Sequence, residues 1–336
     1  MDKKKVYITR RIPDEAIELL EEHFDVEINP QDRVLSKEEL LENVKGVDAV
    51  LCVINDNIDK EVFEAAGEKC KIFANYGVGY NNIDVTTATE NGVIITNTPG
   101  VLDDATADLA WTLLMAVSRR ILSADKFTRN GAFQAWDPMV FLGRDITGKT
   151  LGLVGAGRIG FNFAKKAKAF DMKILYTGLR HNLKLENELG AIYVDKETLL
   201  KEADFVSLHV PLLPSTNHYI SEKEFSVMKK TSVIVNTSRG PVIDEKALVK
   251  ALKQGEIWGA GLDVYENEPE IEPELLDMNN VVIVPHIASA TMETRTNMGL
   301  IAARNIIKVL SGELPDSCIN KEVLKKCINK TNISIV

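Results

Sequence analysis

Short apolar runs alternate along the chain with longer stretches in which apolar residues recur every three or four positions. The early apolar runs predict β-strands at 6–9, 49–53, 72–75 and 93–96. Helical patterns separate them: one begins at Pro13, a residue favoured in a first helical turn, and another follows the capping-box pair Ser36 and Glu39. Such alternation with short links predicts a parallel sheet covered by helices on both faces.

A second alternating series starts at Thr150. Its apolar runs predict strands at 151–154, 174–176, 205–209, 233–236, 257–264 and 281–284. Long helical patterns occupy 102–128 and 293–310. The first of them is apolar on more than one side, which is typical of a helix buried between domains or subunits. The sequence therefore predicts an α/β protein with two doubly wound parallel-sheet domains.

Composition agrees with this class and excludes several others. The 336 residues suffice for about two domains, and 45% hydrophobic with 26% charged residues is an ordinary globular balance. The net charge is −9, and no cluster of lysine and arginine resembles a phosphate-binding face, so we expect no nucleic-acid partner. No apolar run reaches the roughly 18 residues that span a bilayer, and no signal-peptide core follows Met1. We therefore expect a cytoplasmic protein that does not bind membranes.

The cysteine spacing bears on metal and redox chemistry. Cys52, Cys70, Cys318 and Cys327 include no C-x-x-C pair, which disfavours zinc and thioredoxin-type sites. We therefore predict no metal site and expect free thiols, as in a reducing compartment.

A glycine-rich loop, Gly155-Ala156-Gly157-Arg158-Ile159-Gly160, follows a predicted strand and opens an amphipathic helix. The pattern G-x-G-x-x-G is weak by itself, but this strand–loop–helix context is the one that dinucleotide binding requires. Its glycines permit a tight turn, close approach of a pyrophosphate and close packing of helix on strand. The helix N-terminus then offers N–H groups and a positive dipole end to the phosphates.

The end of the next strand bears on the choice of dinucleotide. NAD sites usually place Asp or Glu there to bind the ribose hydroxyls, but the segment from Leu175 to Asn182 contains no acid. Arg180 and His181 could instead meet a 2′-phosphate, which favours NADPH, unless Arg180 merely points to solvent.

Three chemically reactive side chains follow late strands, namely Arg239, Glu268 and His286. Because ligands of open α/β sheets bind beyond the carboxyl ends of the strands, these side chains could converge on one crevice. Arg239 could hold a carboxylate through two hydrogen bonds, His286 could protonate a carbonyl oxygen, and Glu268 could orient the imidazole. Each residue alone is equally well explained as a surface or turn residue, so their joint occurrence behind a dinucleotide loop carries the hypothesis.

Together these features resemble the D-isomer-specific 2-hydroxyacid dehydrogenases, over nearly the whole chain. The shared motifs are the glycine loop, His209-Val210-Pro211-Leu212, Asn236-Thr237-Ser238-Arg239-Gly240, Glu268-Pro269 and Pro285-His286. Within the family the chain is most similar to glyoxylate/hydroxypyruvate reductases, through 75–84, 104–108, 136–138 and 141–143. The resemblance implies a Rossmann cofactor domain at 100–286, inserted into a flavodoxin-like substrate domain formed by 1–99 and 287–336.

The resemblance also implies roles for individual residues. Arg239 and the backbone of Val78 and Gly79 would bind the substrate carboxylate, and Glu268 and His286 would form the acid/base pair. His286 and Trp136 would also contact the substrate, Trp136 from the partner subunit of a homodimer, unless it anchors a loop in its own domain. The residues expected at the cofactor are Thr106, Gly155, Gly157, Arg158, Ile159, Gly160, Arg180, His181, Val210, Pro211, Thr237, Ser238 and Asp263.

The implied activity is NAD(P)H-dependent reduction of glyoxylate or hydroxypyruvate to the D-2-hydroxy acid. One alternative is a dehydrogenase for D-lactate or another D-2-hydroxy acid, and another is a nucleotide-sensing corepressor that shares the fold. NADPH-using reductases of this type often have Ser-Arg where this chain has Gly178-Leu179, with its Arg one position later. This departure leaves NADH or dual use open beside the NADPH that Arg180 favours.

Overall fold

β-Strands and α-helices alternate along the chain, and the computed structural model describes residues 3–324. The strands are β1 (Lys5–Ile8), β2 (Asp25–Ile28), β3 (Ala49–Val53), β4 (Ile72–Tyr76), β5 (Ile94–Thr96), β6 (Thr150–Val154), β7 (Lys173–Thr177), β8 (Ile192–Tyr193), β9 (Phe205–Leu208), β10 (Val233–Asn236), β11 (Gly259–Leu262) and β12 (Val281–Ile283). The α-helices are α1 (Asp14–Glu21), α2 (Lys37–Asn43), α3 (Lys60–Ala66), α4 (Val85–Glu90), α5 (Asp103–Ser118), α6 (Ile121–Arg129), α7 (Arg158–Ala169), α8 (Leu183–Leu189), α9 (Lys196–Glu202), α10 (Glu222–Val227), α11 (Glu245–Gln254) and α12 (Met292–Leu310).

The chain divides into two compact units. The first comprises the described residues up to Leu102 and those from Ala290 onward, and the second is Asp103–Ser289. In the first unit, β1 to β5 form a parallel sheet in the order β2-β1-β3-β4-β5, which is the flavodoxin-like order. Helix α12 packs against α1 and β4, so the chain returns to the first unit after completing the second.

The second unit contains a seven-stranded parallel sheet in the order β12-β11-β10-β9-β6-β7-β8. Counted from β6, this is the Rossmann order 3-2-1-4-5-6 with β12 added beyond it. The predicted α/β class with two doubly wound parallel sheets is confirmed.

Helices cover both faces of the second sheet, which explains why its strands are continuous apolar runs. In β10, Ile234 packs into one apolar layer with Val206 and Leu248. The next residue, Val235, packs into the opposite layer with Phe163. Such a sheet holds its strand ends in fixed positions, and the candidate site residues follow those ends.

The prediction of one continuous helix over 102–128 is wrong. The chain forms α5 and α6, separated by a turn in which Arg120 has a φ of 53°. The cause is a tertiary contact, because the carbonyl of Ser118 accepts the N–H of Arg144 at 2.8 Å. Gly143 passes so close that a Cβ there would lie 2.3 Å from the same carbonyl oxygen. A long-range contact therefore occupies the carbonyl where the helix would have continued.

Three of the cysteines are free thiols, with Cys52 and Cys70 buried and Cys318 half-buried. Cys327 lies outside the described residues. Within residues 3–324, no helix combines the length and apolar character that crossing a membrane requires.

Candidate active site

The glycine-rich loop joins β6 to α7, and its glycines meet different constraints. Gly155 has a φ of 96°, and a Cβ there would lie 2.6 Å from the carbonyl oxygen of His209. A Cβ on Gly160 would lie 2.3 Å from the carbonyl oxygen of Gly155. Gly157 has no atom within 4 Å of its would-be Cβ, so this side of the loop is open. Two glycines thus allow close packing within the protein, while the third leaves room for a ligand.

Helix α7 begins directly after this open position. Its N-cap, Gly157, provides no side chain to bind the N–H groups of the first turn, so these groups and the helix dipole can meet an anion. Thr237 follows β10, and its hydroxyl is buried with no hydrogen-bond partner in the described part of the chain. Thr106 on α5 is also buried. The loop, the uncapped helix and the unsatisfied hydroxyl fit a bound dinucleotide.

The segment after β7 contains an acid that the sequence analysis missed. His181 contacts Glu186 of α8 through its Nδ1, 2.7 Å from Oε1, and its ring stacks on Tyr193. The hydroxyl of Tyr176 donates to the same carboxylate, and these two bonds hold the pKa of Glu186 below its ordinary value. A search for an acid at the end of the strand does not find Glu186, because this carboxylate comes from the following helix. Arg180 is exposed beside this group.

His286 and Glu268 form a direct pair in the second unit. The Nδ1 of His286 lies 2.9 Å from Oε2 of Glu268, and each side chain is a little under a third exposed. The other carboxylate oxygen, Oε1, accepts the N–H of Tyr265 at 3.0 Å. Burial raises the pKa of Glu268. Its hydrogen bond to His286 and the positive charges of His286 and Arg239 together lower the pKa by more than burial raises it, so the pKa is below its ordinary value. Glu268 is therefore a carboxylate at neutral pH, held so that its second oxygen faces the imidazole.

Arg239 follows β10 in a loop that is fixed by a buried asparagine. The side chain of Asn236 accepts the N–H of Ser238 at 3.0 Å and donates to the carbonyl of Arg239 at 2.9 Å. A Cβ on Gly240 would lie 1.7 Å from the carbonyl oxygen of Tyr265, so only glycine fits after the arginine. Burial lowers the pKa of Arg239, and the negative charge of Glu268 opposes this effect. The predicted residues Arg239, Glu268 and His286 are therefore electrostatically linked.

Asp263 fixes the loop that carries His286. It is fully buried after β11, and its two carboxylate oxygens accept the N–H groups of Ile287 and Ala288 at 2.6 and 2.9 Å. The N–H of His286 donates to the carbonyl of Asp263 at 3.0 Å. These bonds hold His286 at a φ of 53°, a conformation that costs a residue other than glycine about 1–3 kcal/mol. The predicted contact of Asp263 with the cofactor stays a prediction.

A reciprocal pair of glutamates holds the loop before Glu268, and the sequence analysis missed it. Buried Glu245 of α11 accepts the N–H of Glu266 at 2.6 Å, while the carboxylate of Glu266 accepts the N–H of Glu245 at 3.1 Å. His218 also contacts Glu266, at 2.6 Å. The side chain of each glutamate thus accepts the backbone N–H of the other. No local sequence motif indicates this contact.

The remaining predicted residues lie in several places. Val78 and Gly79 are half-buried and belong to the first unit, in the loop after β4. Arg158 lies 3.5 Å from the carboxylate of Asp103. Trp136 is 82% exposed. Ile159 is half-buried at the start of α7. Val210 and Pro211 follow β9, where Val210 is half-buried and Pro211 is exposed.

Comparison with known proteins places this arrangement in a family. Residues 111–288 match the model of the D-isomer specific 2-hydroxyacid dehydrogenase, NAD binding domain. A glyoxylate reductase of Thermococcus litoralis is 51% identical over 326 residues, covering 96% of this chain and 98% of that protein.

Two solved structures extend the comparison. A protein of Thermus thermophilus is similar with a TM-score of 0.89 and 41% identity, covering 94% of this chain and 99% of its own. An NADPH-dependent glyoxylate/hydroxypyruvate reductase of Sinorhizobium meliloti, solved with NADP and malonate, has a TM-score of 0.83 and 29% identity, covering 96% of this chain and 98% of its own. The chain belongs to the D-isomer-specific 2-hydroxyacid dehydrogenases, and it is an oxidoreductase with a nicotinamide cofactor.

Proposed function

We propose that the protein reduces glyoxylate and hydroxypyruvate to the corresponding D-2-hydroxy acids with NADPH or NADH. The single observation that carries this proposal is the His286–Glu268 pair, 2.9 Å apart and electrostatically linked to Arg239. A proton donor and a carboxylate-binding cation are the two groups that reduction of a 2-oxo acid requires besides hydride. The substrate itself is proposed from the 51% identical glyoxylate reductase of Thermococcus litoralis.

The chemistry assigns one task to each side chain. The reduced nicotinamide supplies, when bound, the hydride that adds to C2 of the 2-oxo acid. Arg239 and the N–H groups of Val78 and Gly79 bind the substrate carboxylate. Because Nδ1 of His286 faces Glu268, Nε2 is the nitrogen that donates a proton to the carbonyl oxygen as the C=O π electrons move onto it. Glu268 orients the ring and offsets the positive charge of the imidazolium. One hydride and one proton convert the 2-oxo acid into the 2-hydroxy acid.

Cofactor choice is proposed to favour NADPH through Arg180. This guanidinium is exposed and forms no ion pair or hydrogen bond within residues 3–324, so it can bind a 2′-phosphate. Arg180→Ala is then expected to weaken NADPH binding about tenfold and to leave NADH binding within about twofold, measured by fluorescence titration of the protein. Equal effects on both cofactors would remove Arg180 from this role.

Assembly and location are proposed on separate grounds. An apolar segment between α6 and β6 is exposed, at Phe133, Trp136, Met139 and Leu142. Such a surface is typical of a subunit interface, so we propose a homodimer in which Trp136 reaches the partner's active site. The free thiols Cys52, Cys70 and Cys318 support a cytoplasmic location.

The deciding experiment follows nicotinamide absorbance with NADPH and NADH against glyoxylate, hydroxypyruvate, pyruvate and 2-oxoglutarate. We expect turnover with glyoxylate or hydroxypyruvate, and His286→Ala should lower kcat by about 100- to 10 000-fold without loss of cofactor binding. The exposed His23→Ala serves as the matched control and should keep full activity. Preference for pyruvate would instead indicate a D-lactate dehydrogenase, and cofactor binding without any turnover would indicate a nucleotide sensor.

A further inference from the structure

The loop Gly77-Val78-Gly79 is held by three consecutive carbonyl groups. The carbonyl of Gly77 accepts the N–H of Thr98 at 3.0 Å. The next carbonyl, of Val78, accepts a hydrogen bond from Nδ2 of Asn97 at 2.9 Å. The third, of Gly79, accepts one from Nδ2 of Asn75 at 2.8 Å.

These bonds occupy the carbonyl groups of the loop and leave its N–H groups available to a ligand. The N–H groups of Val78 and Gly79 donate to no protein acceptor in the part of the chain that the structure describes. With their carbonyls engaged and their N–H groups vacant, the two peptides offer only donors to a ligand, which is the polarity that an anion requires. The loop is therefore complementary to a carboxylate and not to a cation.

The two asparagines are built into the core of the first unit. Asn75 is fully buried in β4, and its Oδ1 is 3.4 Å from Nδ2 of Asn82. Asn97 is 8% exposed after β5, and its own carbonyl accepts the hydroxyl of Ser317. An amide turned the other way would place an oxygen against a carbonyl oxygen, so each contact requires the NH₂ group that only Asn or Gln supplies. Buried polar groups whose hydrogen bonds are satisfied make the segments that they bind rigid.

We propose that Asn75 and Asn97 are positioning residues that hold the Val78 and Gly79 N–H groups ready for the substrate carboxylate. This inference rests on the proposed function, in which those N–H groups bind the carboxylate. Neither asparagine touches the substrate; each acts through a carbonyl of the loop. Loss of the Asn97 amide frees the peptide that carries the Gly79 N–H, and loss of the Asn75 amide frees the peptide that follows it. In both cases the donors are held less firmly before the substrate arrives.

Asn97→Ala tests this proposal in the whole protein. We expect the KM for glyoxylate to rise about tenfold, because the loop loses one of the hydrogen bonds that hold its donors in place. The kcat should change less than about threefold, and the Kd of the cofactor should stay within about twofold of its original value. Oxalate, a carboxylate that cannot be reduced this way, should also bind the cofactor-loaded variant about tenfold more weakly by calorimetry. Asn75→Ala should have the same effects. If Asn75→Ala fails to fold, Asn97→Ala, at the more accessible position, tests the proposal by itself.

Asn91→Ala is the matched control. Its Nδ2 also donates to a backbone carbonyl at 2.9 Å, that of Thr87 in α4, so the same kind of bond is lost in the same unit. A purely structural role would lower the Tm of both variants and leave KM and the Kd of oxalate alike in both. Unchanged oxalate affinity in Asn97→Ala, or no oxalate binding by the unaltered protein, would overturn the inference. If no 2-oxo acid is reduced, the proposed function fails, and the oxalate comparison still decides the role of Asn97.

Discussion

Replacing Asp263 with asparagine should change how stability depends on pH. The carboxyl is fully buried, and burial raises its pKa to about 6 from an ordinary value of 3.8. The N–H groups of Ile287 and Ala288 and the charge of His286 oppose this increase without cancelling it. The folded protein therefore binds this proton more tightly than the unfolded chain does. Stability from this group is fully present below about pH 3.8 and is lost as the pH rises through 6.

The magnitude follows from the two pKa values. A difference of 6 minus 3.8, about 2.2 pH units, corresponds to about 3 kcal/mol of unfolding free energy lost above pH 6. The amide introduced by D263N is neutral at every pH, but its NH₂ group cannot accept the second of the two N–H groups that Asp263 binds. We therefore expect D263N to be less stable than the original protein near pH 4, by about 1–3 kcal/mol. Between pH 4 and 7 their difference should shift in favour of D263N by about 3 kcal/mol.

Urea unfolding at several pH values measures this shift. The three tryptophans, Trp111, Trp136 and Trp258, all lie in the second unit, so their fluorescence reports on the unit that contains Asp263. Asp277→Asn changes an exposed carboxyl in the same unit and controls for the lost charge. Parallel stability curves for D263N and the original protein across this range would refute the reasoning.

Three further predictions concern stability. Gly240→Ala places a Cβ 1.7 Å from the carbonyl oxygen of Tyr265, so it should cost about 1–3 kcal/mol or more by urea unfolding and also lower kcat/KM through the neighbouring arginine. The buried hydroxyl of Tyr7 has no hydrogen-bond partner within residues 3–324, so Tyr7→Phe should leave Tm unchanged or raise it, whereas Tyr265→Phe, which loses a bond to a backbone carbonyl, should lower it. Glu245→Ala leaves the N–H of Glu266 without its acceptor and should cost about 1.5–3 kcal/mol, and a Tm within a degree of the original would contradict this.

The fold could be predicted because its strongest determinants are local. Strands buried on both faces are apolar runs, and these runs gave both sheets. Strand β2 has exposed and half-buried positions, and β8 has only two residues, so neither has the apolar signal of a buried strand. The break between α5 and α6 was missed because Ser118 is capped by Arg144, which lies far along the chain.

The reactive residues of the site were predictable, but the residues that hold them were not. Arg239, Glu268 and His286 have chemistry that is readable one residue at a time, and the structure places His286 against Glu268, while their catalytic roles stay predictions. Glu245 and Glu186 act through contacts with other elements, whose register the sequence alone does not give. Their residue types are common on helix surfaces, so burial and register, not identity, give them their roles.

Three loops, one in the first unit and two in the second, share one means of support, a buried Asn or Asp in or just after a parallel strand. Asn75 binds the carbonyl of Gly79, Asn236 binds the loop of Arg239, and Asp263 binds the two peptides after His286. Each is at most 1% exposed, so each would be costly to bury without these partners. Because a polar residue that closes an apolar run must find its bonds nearby, it fixes the backbone beyond the strand. The same burial that makes these residues costly for folding therefore makes the loops that follow them rigid.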